Sequence, residues 1–331
     1  MERKEALYYE TKKNGAILCL LCPRGCVIGD GKTGACLGRK NEGGKLYAIN
    51  YGKTVSIAVD PIEKKPLYNF HPGTLILSIA PNGCNFACSY CQNWEISQTI
   101  VPSRELAPRQ ALEAAQSSNS VGIAYTYTEP LIWYEYILDT GALIHEAGMV
   151  NVLVTNGYIN EEPFLRLLPL IDAMNIDVKS MDDSFYRAHC KGKLEPVLRI
   201  ARKAKESGCH VEITHLMIPT LNDSDENIKA LIEWVVGLGV DTPLHFSRYF
   251  PHYKCDLPPT PAETIQKAYE RAKERLRHVY VGNISVPGAS DTYCSNCGSR
   301  LISRVGYSTR IENVQGGSCQ QCGAPSDIVG V

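Results

Sequence analysis

Short apolar runs rich in β-branched residues recur through the middle of the chain. They are TLILSI (74–79), VGIAYTY (121–127), NVLVT (151–155), MNIDV (174–178), HVEITHLMI (210–218), LHFSRY (244–249) and HVYVG (278–282). Helical periodicity fills the gaps between them. In SDENIKALIEWVVG the apolar residues Ile228, Leu231, Ile232, Val235 and Val236 fall at i, i+3, i+4, i+7 and i+8, and Asp223 or Ser224 is placed to cap the helix. In PAETIQKAYERAKERL, Pro261 suits a first turn, while Ile265, Ala268, Tyr269, Ala272 and Leu276 share one face. Strands alternating with such helices imply a parallel sheet with right-handed crossovers. Six or seven units predict an α/β fold, a partial (β/α)6-type barrel of the TIM kind rather than a complete eight-unit one.

The pattern changes at both ends. Residues 1–73 hold several glycines and the segment DPIEKKPLYNFHPG, whose three prolines and weak periodicity predict an ordered loop or linker. Beyond Asp291 helix periodicity stops, and two C-x2-C pairs sit among glycines and serines. The expected organisation is therefore a Cys-rich N-terminal extension (1–73), a barrel (74–290) and a small metal-stapled module (291–331).

With 44% hydrophobic residues, the 331-residue chain has ample material for a core, which excludes intrinsic disorder. Thirty-four basic against 35 acidic residues leave no global basic field, so nucleic acid is not the expected partner. No apolar run reaches the length of a membrane span, and the charged start MERKEALYYE lacks the apolar core of a secretion signal. The cytoplasm is the expected compartment. There, 14 cysteines are unusual, because a reducing environment favours metal binding over disulfides. They group as Cys19, Cys22, Cys26 and Cys36, then Cys84, Cys88 and Cys91, then Cys294, Cys297, Cys319 and Cys322. Only Cys190, Cys209 and Cys255 stand apart.

The middle group, GCNFACSYCQNW, is a C-x3-C-x2-C directly after the first barrel strand. Three thiolates at this spacing suit a cubane cluster whose fourth iron has no protein ligand. A structural zinc loop would normally want a fourth Cys or His, and none follows within the loop. With Tyr90 as the aromatic, C-x3-C-x-aromatic-C resembles the signature of radical S-adenosylmethionine (SAM) enzymes, and Cys91-Gln92-Asn93 is similar to the end of that motif in pyruvate formate-lyase activating enzymes. Together with LCPRGC, DPIEKKPLYNFHPG and YTYTEP, it resembles the radical SAM member of the AmmeMemoRadiSam system along almost the whole chain.

The resemblance implies the radical SAM fold, a 4Fe-4S cluster on Cys84, Cys88 and Cys91, and SAM held at the open iron. Reductive cleavage to methionine and a 5′-deoxyadenosyl radical, then hydrogen abstraction from a substrate, is the reaction implied, an oxidoreductase of the activating-enzyme type. The implied partners are an electron donor such as flavodoxin or ferredoxin, and a protein substrate or the other members of that system. Cofactor contacts are implied for Tyr90, Asn93, Thr126, Thr128, Glu129, Asn156, Asp177 and Lys179. Of these, Glu129 is similar in position to a group that binds the SAM amino group, and Asp177-Val178-Lys179 resembles the D-x-K of activating enzymes. His215, Arg248 and His252, at the ends of later strands, are candidates to face the substrate. A glycyl-radical activase is one alternative and a non-catalytic metal-binding scaffold another.

The two outer groups read from spacing alone. CSNCG and CQQCG are knuckles 21 residues apart, predicting a zinc-ribbon or rubredoxin-like four-thiolate site, zinc or a single iron. Cys19-x2-Cys22-x3-Cys26-x9-Cys36 matches neither a ferredoxin run nor an ordinary zinc ribbon, so zinc and an auxiliary iron–sulfur cluster both remain open.

Overall fold

A computed structural model describes residues 3–331; Met1 and Glu2 of the charged start lie outside the described residues. Eight strands form the central sheet: β1 (Ser56–Pro61), β2 (Leu75–Ala80), β3 (Gly122–Tyr125), β4 (Val150–Thr155), β5 (Ala173–Asp177), β6 (His210–Met217), β7 (Leu244–Arg248) and β8 (Val279–Gly282). Each pairs with its sequence neighbour. β2 to β8 are all parallel, so their C-terminal ends share one edge. All seven expected runs are strands of this set. They are nearly continuous apolar runs because both faces of these strands are buried. The strand order runs from β8 to β1 without the edges pairing, so the sheet is open. β3 stops at Tyr125, short of the expected Tyr127, which takes a left-handed backbone (φ 65°).

β1 is the element that the sequence reading did not foresee. It pairs antiparallel with β2, Ser56 opposite Ala80 and Pro61 opposite Leu75. The DPIEKKPLYNFHPG segment thus begins as the end of a strand, makes one tight turn at Ile62–Lys64 and then runs across the N-terminal ends of the strands. There Glu212, fully buried at the start of β6, accepts hydrogen bonds from the backbone N–H of Tyr68 (3.1 Å) and Asn69 (2.7 Å).

Six helices connect the strands: α1 (Pro108–Ser117), α2 (Tyr134–Glu146), α3 (Glu161–Leu167), α4 (Leu194–Glu206), α5 (Asp225–Leu238) and α6 (Ala262–Lys273). α5 starts as expected: the Ser224 hydroxyl caps it by accepting from Asn227 N (3.2 Å). Its face Ile228, Leu231, Ile232 and Val235 is buried, as is Ile265, Ala268, Tyr269 and Ala272 of α6. No described helix is long and apolar enough to cross a membrane.

The N-terminal segment forms small antiparallel sheets (Tyr9–Thr11, Ile17–Cys19 and Val27–Ile28; Arg39–Glu42 with Lys45–Ala48) against α2. The anchor is a buried ion pair, Arg39 Nη2 to Glu135 Oε1 at 2.6 Å, with both side chains 1% exposed. Arg39 also donates to Leu7 O (2.7 Å), and Leu7 N donates to Glu135 (2.8 Å). At the other end of the sheet, residues 292–311 make a three-stranded antiparallel sheet. Arg304 projects from it toward Tyr68 and Glu63. Its guanidinium donates to Tyr68 O (2.6 Å) and Thr292 Oγ1 (2.8 Å), and stands 3.6 Å from the buried Glu63 carboxylate.

Candidate active site at the strand C-terminal edge

β2 delivers the chain through Pro81, Asn82 and Gly83 into the cysteine loop. Asn82 fixes the turn: Nδ2 donates to the carbonyls of Ile96 (2.6 Å) and Thr99 (2.7 Å), and Oδ1 accepts from Val101 N (2.9 Å). Gly83 has φ 101°, and a Cβ there would stand 2.1 Å from the carbonyl oxygen of Cys36, so only glycine fits. The loop also rests on the single π-turn Tyr186–Cys190, with Ala87 N donating to Cys190 O (2.9 Å) and Ser89 N to His189 O (3.0 Å). Lys254 N donates to Ser89 O (2.9 Å), and Trp94 stacks on Tyr253 with ring centroids 5.1 Å apart. The segment after β7 therefore folds back over the cysteines.

Cys88 is buried, and Cys84 and Cys91 are half-buried. Burial raises the Cys84 thiol well above its ordinary value, and the nearby Glu129 adds to this. No three ligand atoms here converge within 4.8 Å, as a single ion would require. Three thiols in one loop, with no convergent single-ion site there among the described residues, suit a polynuclear group. Two buried polar atoms at the same edge lack partners, Thr214 Oγ1 and His215 Nε2. The residues present therefore fit a three-thiolate iron–sulfur cluster with a polar ligand beside it.

The neighbouring strand ends bring most of the expected residues to that edge. Asn156, after β4, lies with Nδ2 3.8 Å from Cys84 Sγ and 2.9 Å from Asn85 Oδ1. Glu129, after β3, is buried and accepts from Leu131 N (3.0 Å), Thr155 Oγ1 (2.6 Å) and Asn156 N (2.8 Å). Its carboxylate thus ties the end of β3 to the end of β4. Thr128 Oγ1 donates to Pro81 O (2.7 Å), and Asn93 Nδ2 donates to Tyr127 O (2.6 Å), which joins the cysteine loop to the end of β3. Thr126 is buried, with its N–H on Ile79 O (3.0 Å). Lys179 Nζ meets Asp177 Oδ2 at 3.0 Å on one face of the strand end, as their alternation predicts. Burial works against the Lys179 ammonium, but Asp177 and the Cys88 and Cys190 sulfurs hold its pKa above the usual lysine value.

His215 is fully buried and donates from Nδ1 to Val178 O (2.8 Å), and burial lowers its pKa below the usual histidine value. The other two substrate candidates make the following contacts. Arg248 spends Nε on Thr260 O (2.8 Å) and lies over the Phe250 ring, while His252 is exposed and bonds Cys255 through backbone only.

Cys190 is one of three residues here that the sequence did not point to. Set apart in the chain, its thiol lies 3.2 Å from Tyr90 Oη and beside Cys88. Burial raises its pKa, but Cys88, the Lys179 ammonium and Tyr90 outweigh burial and pull it below the usual thiol value. Tyr186 and Asn222 were also unforeseen: Tyr186 Oη accepts from Lys179 N (2.9 Å) and Asn222 Nδ2 donates to Lys179 O (2.6 Å). No local signal marks them, since they act on backbone that is remote in sequence.

Burial pushes the Glu129 carboxyl up to about 7. A carboxyl whose folded pKa exceeds its unfolded one favours folding fully below the unfolded pKa, and loses that contribution as pH rises through the folded one. Between about pH 4.5 and 7 the wild type should therefore lose on the order of 2–3 kcal/mol relative to Glu129→Gln. Parallel urea titrations of both proteins across that range check this. A stability difference that does not vary with pH would contradict it.

The fold and this edge agree with the comparison of sequence families: residues 78–235, just under half of the chain, match the radical SAM superfamily. The chain's similarity to uncharacterized protein MJ0808 of Methanocaldococcus jannaschii is 47% identity over 98% of this chain and 99% of that one. The pyruvate formate-lyase-activating enzyme of Clostridium pasteurianum is 30% identical over 156 residues, 45% of this chain and 64% of that enzyme. A radical SAM methyltransferase from Sphaerobacter thermophilus shares the fold, with a TM-score of 0.51 and 18% identity over 70% of this chain and 71% of that one.

Proposed function

We propose that this chain cleaves SAM reductively and uses the resulting radical to take a hydrogen atom from a substrate. The observation that carries the reading is the convergence, at one edge of the sheet, of a three-cysteine loop with the Lys179–Asp177 pair, Asn156 and Glu129. Cys84, Cys88 and Cys91 would hold a 4Fe-4S cluster. When bound, that group supplies one electron to the SAM sulfonium, releasing methionine and the 5′-deoxyadenosyl radical. Lys179 is the cation for the SAM carboxylate, and Asp177 steadies its ammonium. Glu129 and Asn156 set the end of β4, and Asn93, Thr126 and Thr128 set the facing end of β3. Tyr90 braces the loop against Cys190. The folded-back segment with Tyr253 and Trp94 limits access of water to the edge.

The substrate class we favour is a protein. Similarity to activating enzymes supports this, and the open sheet leaves room for a bulky partner. An activase taking hydrogen from a glycine of that partner is the form of the reaction those relatives suggest. Membership of the AmmeMemoRadiSam system, an electron donor of the flavodoxin or ferredoxin kind and a cytoplasmic setting complete the reading.

At the C-terminus, Cys294 Sγ lies 3.7 Å from Cys322 Sγ, and Cys297 Sγ lies 3.8 Å from Cys319 Sγ. A tetrahedron of 2.3 Å zinc–sulfur bonds has an edge of about 3.8 Å. We assign this group to one zinc ion, whose contribution is folding energy.

The test is anaerobic reconstitution, reduction and addition of SAM. Methionine and 5′-deoxyadenosine should form together, and Lys179→Ala should weaken SAM affinity by about 10- to 150-fold, the scale of a hydrogen bond to a charged group. With the true partner deuterated, the label should enter 5′-deoxyadenosine. Intact SAM after prolonged reduction of cluster-loaded protein would sink the reading.

A further inference from the structure

The N-terminal cysteines line one recess. Cys19 ends the strand Ile17–Cys19, Cys22 and Cys26 come from the loop that follows, and Cys36 from the turn before Arg39–Glu42. Arg39 and Asn85 line the same recess, which is partly open to solvent. No three of these sulfurs come within 4.8 Å of one another, whereas the four C-terminal sulfurs all do. A single tetrahedral ion pulls four thiolates to roughly 3.8 Å. The same fold thus holds one four-cysteine group closed to that size and one open beyond it.

Arg39 adds an independent observation. Its side chain is 1% exposed, Nη2 is spent on Glu135 and Nη1 on Leu7 O, yet Nε has no hydrogen-bond partner. A buried donor left unpaired is costly, and one on the wall of a sulfur-lined recess suits a hydrogen bond to a thiolate or sulfide. Its positive charge also suits an anionic cluster.

We propose that this recess holds a second iron–sulfur cluster of the cubane type, ligated by Cys19, Cys22, Cys26 and Cys36. Each thiol gives up its proton on ligation. Four protein ligands leave no iron open, so this cluster does not bind SAM. Its wall is the segment that flanks Cys84: Asn85 lines the recess, and the Cys36 carbonyl abuts Gly83 so closely that no side chain fits there. The two iron sites thus share the Gly83–Asn85 backbone as a partition. The proposal is independent of the SAM-cleavage reading, because it concerns a different set of ligands.

The experiment is metal and spectroscopic analysis of the full chain reconstituted anaerobically. About eight irons per chain are expected, against about four for one cluster. Reduction should give two spin signals, of which SAM alters only one. Cys22→Ala with Cys36→Ala should lose about four irons and the SAM-insensitive signal. Should that variant fail to fold, the triple variant Cys84→Ala, Cys88→Ala, Cys91→Ala provides the complement, keeping about four irons in a signal that SAM does not touch. About four irons with two zinc ions in the wild type, or no iron in the triple variant, would overturn the proposal. Eight irons with neither signal altered by SAM would uphold it while defeating the SAM-cleavage reading.

Discussion

Alanine at Cys84, Cys88 and Cys91 together is expected to abolish reductive SAM cleavage and remove about four irons per chain. The effect is total because the three thiolates act as one unit, and no neighbouring residue replaces them. Cys190 is the nearest spare thiol, beside Cys88 and 3.2 Å from Tyr90 Oη, yet one sulfur does not hold a cluster. The fold should survive. The loop is held by backbone hydrogen bonds to Cys190, His189 and Lys254, none of which uses a cysteine side chain of the triad. Iron analysis, 5′-deoxyadenosine formation and thermal unfolding on one preparation separate loss of the cluster from loss of the fold. Residual 5′-deoxyadenosine above the background of the reductant alone would contradict the assignment.

Arg304→Ala is expected to destabilise the protein by about 3–5 kcal/mol, the scale for removing one partner of a buried ion pair. Arg304 and Glu63 are both fully buried. Glu63 Oε1 accepts from Gly73 N (2.8 Å) and Thr309 Oγ1 (2.7 Å), but Oε2 has no hydrogen-bond partner. Without the guanidinium that carboxylate would sit in the interior facing only weak dipoles. The Tyr68 and Ser290 carbonyls would also lose their donor. Arg310, exposed on the same small sheet, is the control and should change stability by less than about 0.5 kcal/mol. Urea unfolding of both variants measures the difference. Equal midpoints would mean that the C-terminal module does not lean on this pair.

The parallel strands were legible because each is buried on both faces, so its sequence is an apolar run that needs no partner to be recognised. β1 was not, for the opposite reason. Its apolar residues Ile57 and Val59 are 42% and 44% exposed, while the buried position is Asp60, so no apolar alternation points to the core. What fixes β1 is the hydrogen-bonding edge of β2 and the Lys64, Lys65 and Tyr127 side chains gathered on Asp60. The C-terminal cysteine group was legible because a metal loop depends on spacing within its own backbone. Asp177 and Lys179 were legible from their place at a strand end. Cys190 was not, since its neighbour Cys88 lies about a hundred positions away and only the docking of the π-turn joins them. The same holds for Arg39 with Glu135 and Arg304 with Glu63, buried pairs made across the whole chain. Glu129 was placed correctly at the edge, but its three hydrogen bonds to the ends of β3 and β4 carry a bracing role that no motif contains.

The claim at the centre of this account is that an iron at the Cys84–Cys88–Cys91 site stays open to SAM. The most direct measurement is the electron spin resonance spectrum of the reduced, reconstituted protein, recorded with and without SAM carrying a magnetic nucleus on its amino nitrogen. The account predicts a spectrum that SAM shifts, with hyperfine coupling to that nitrogen. A cluster signal identical in the presence and absence of saturating SAM would contradict it.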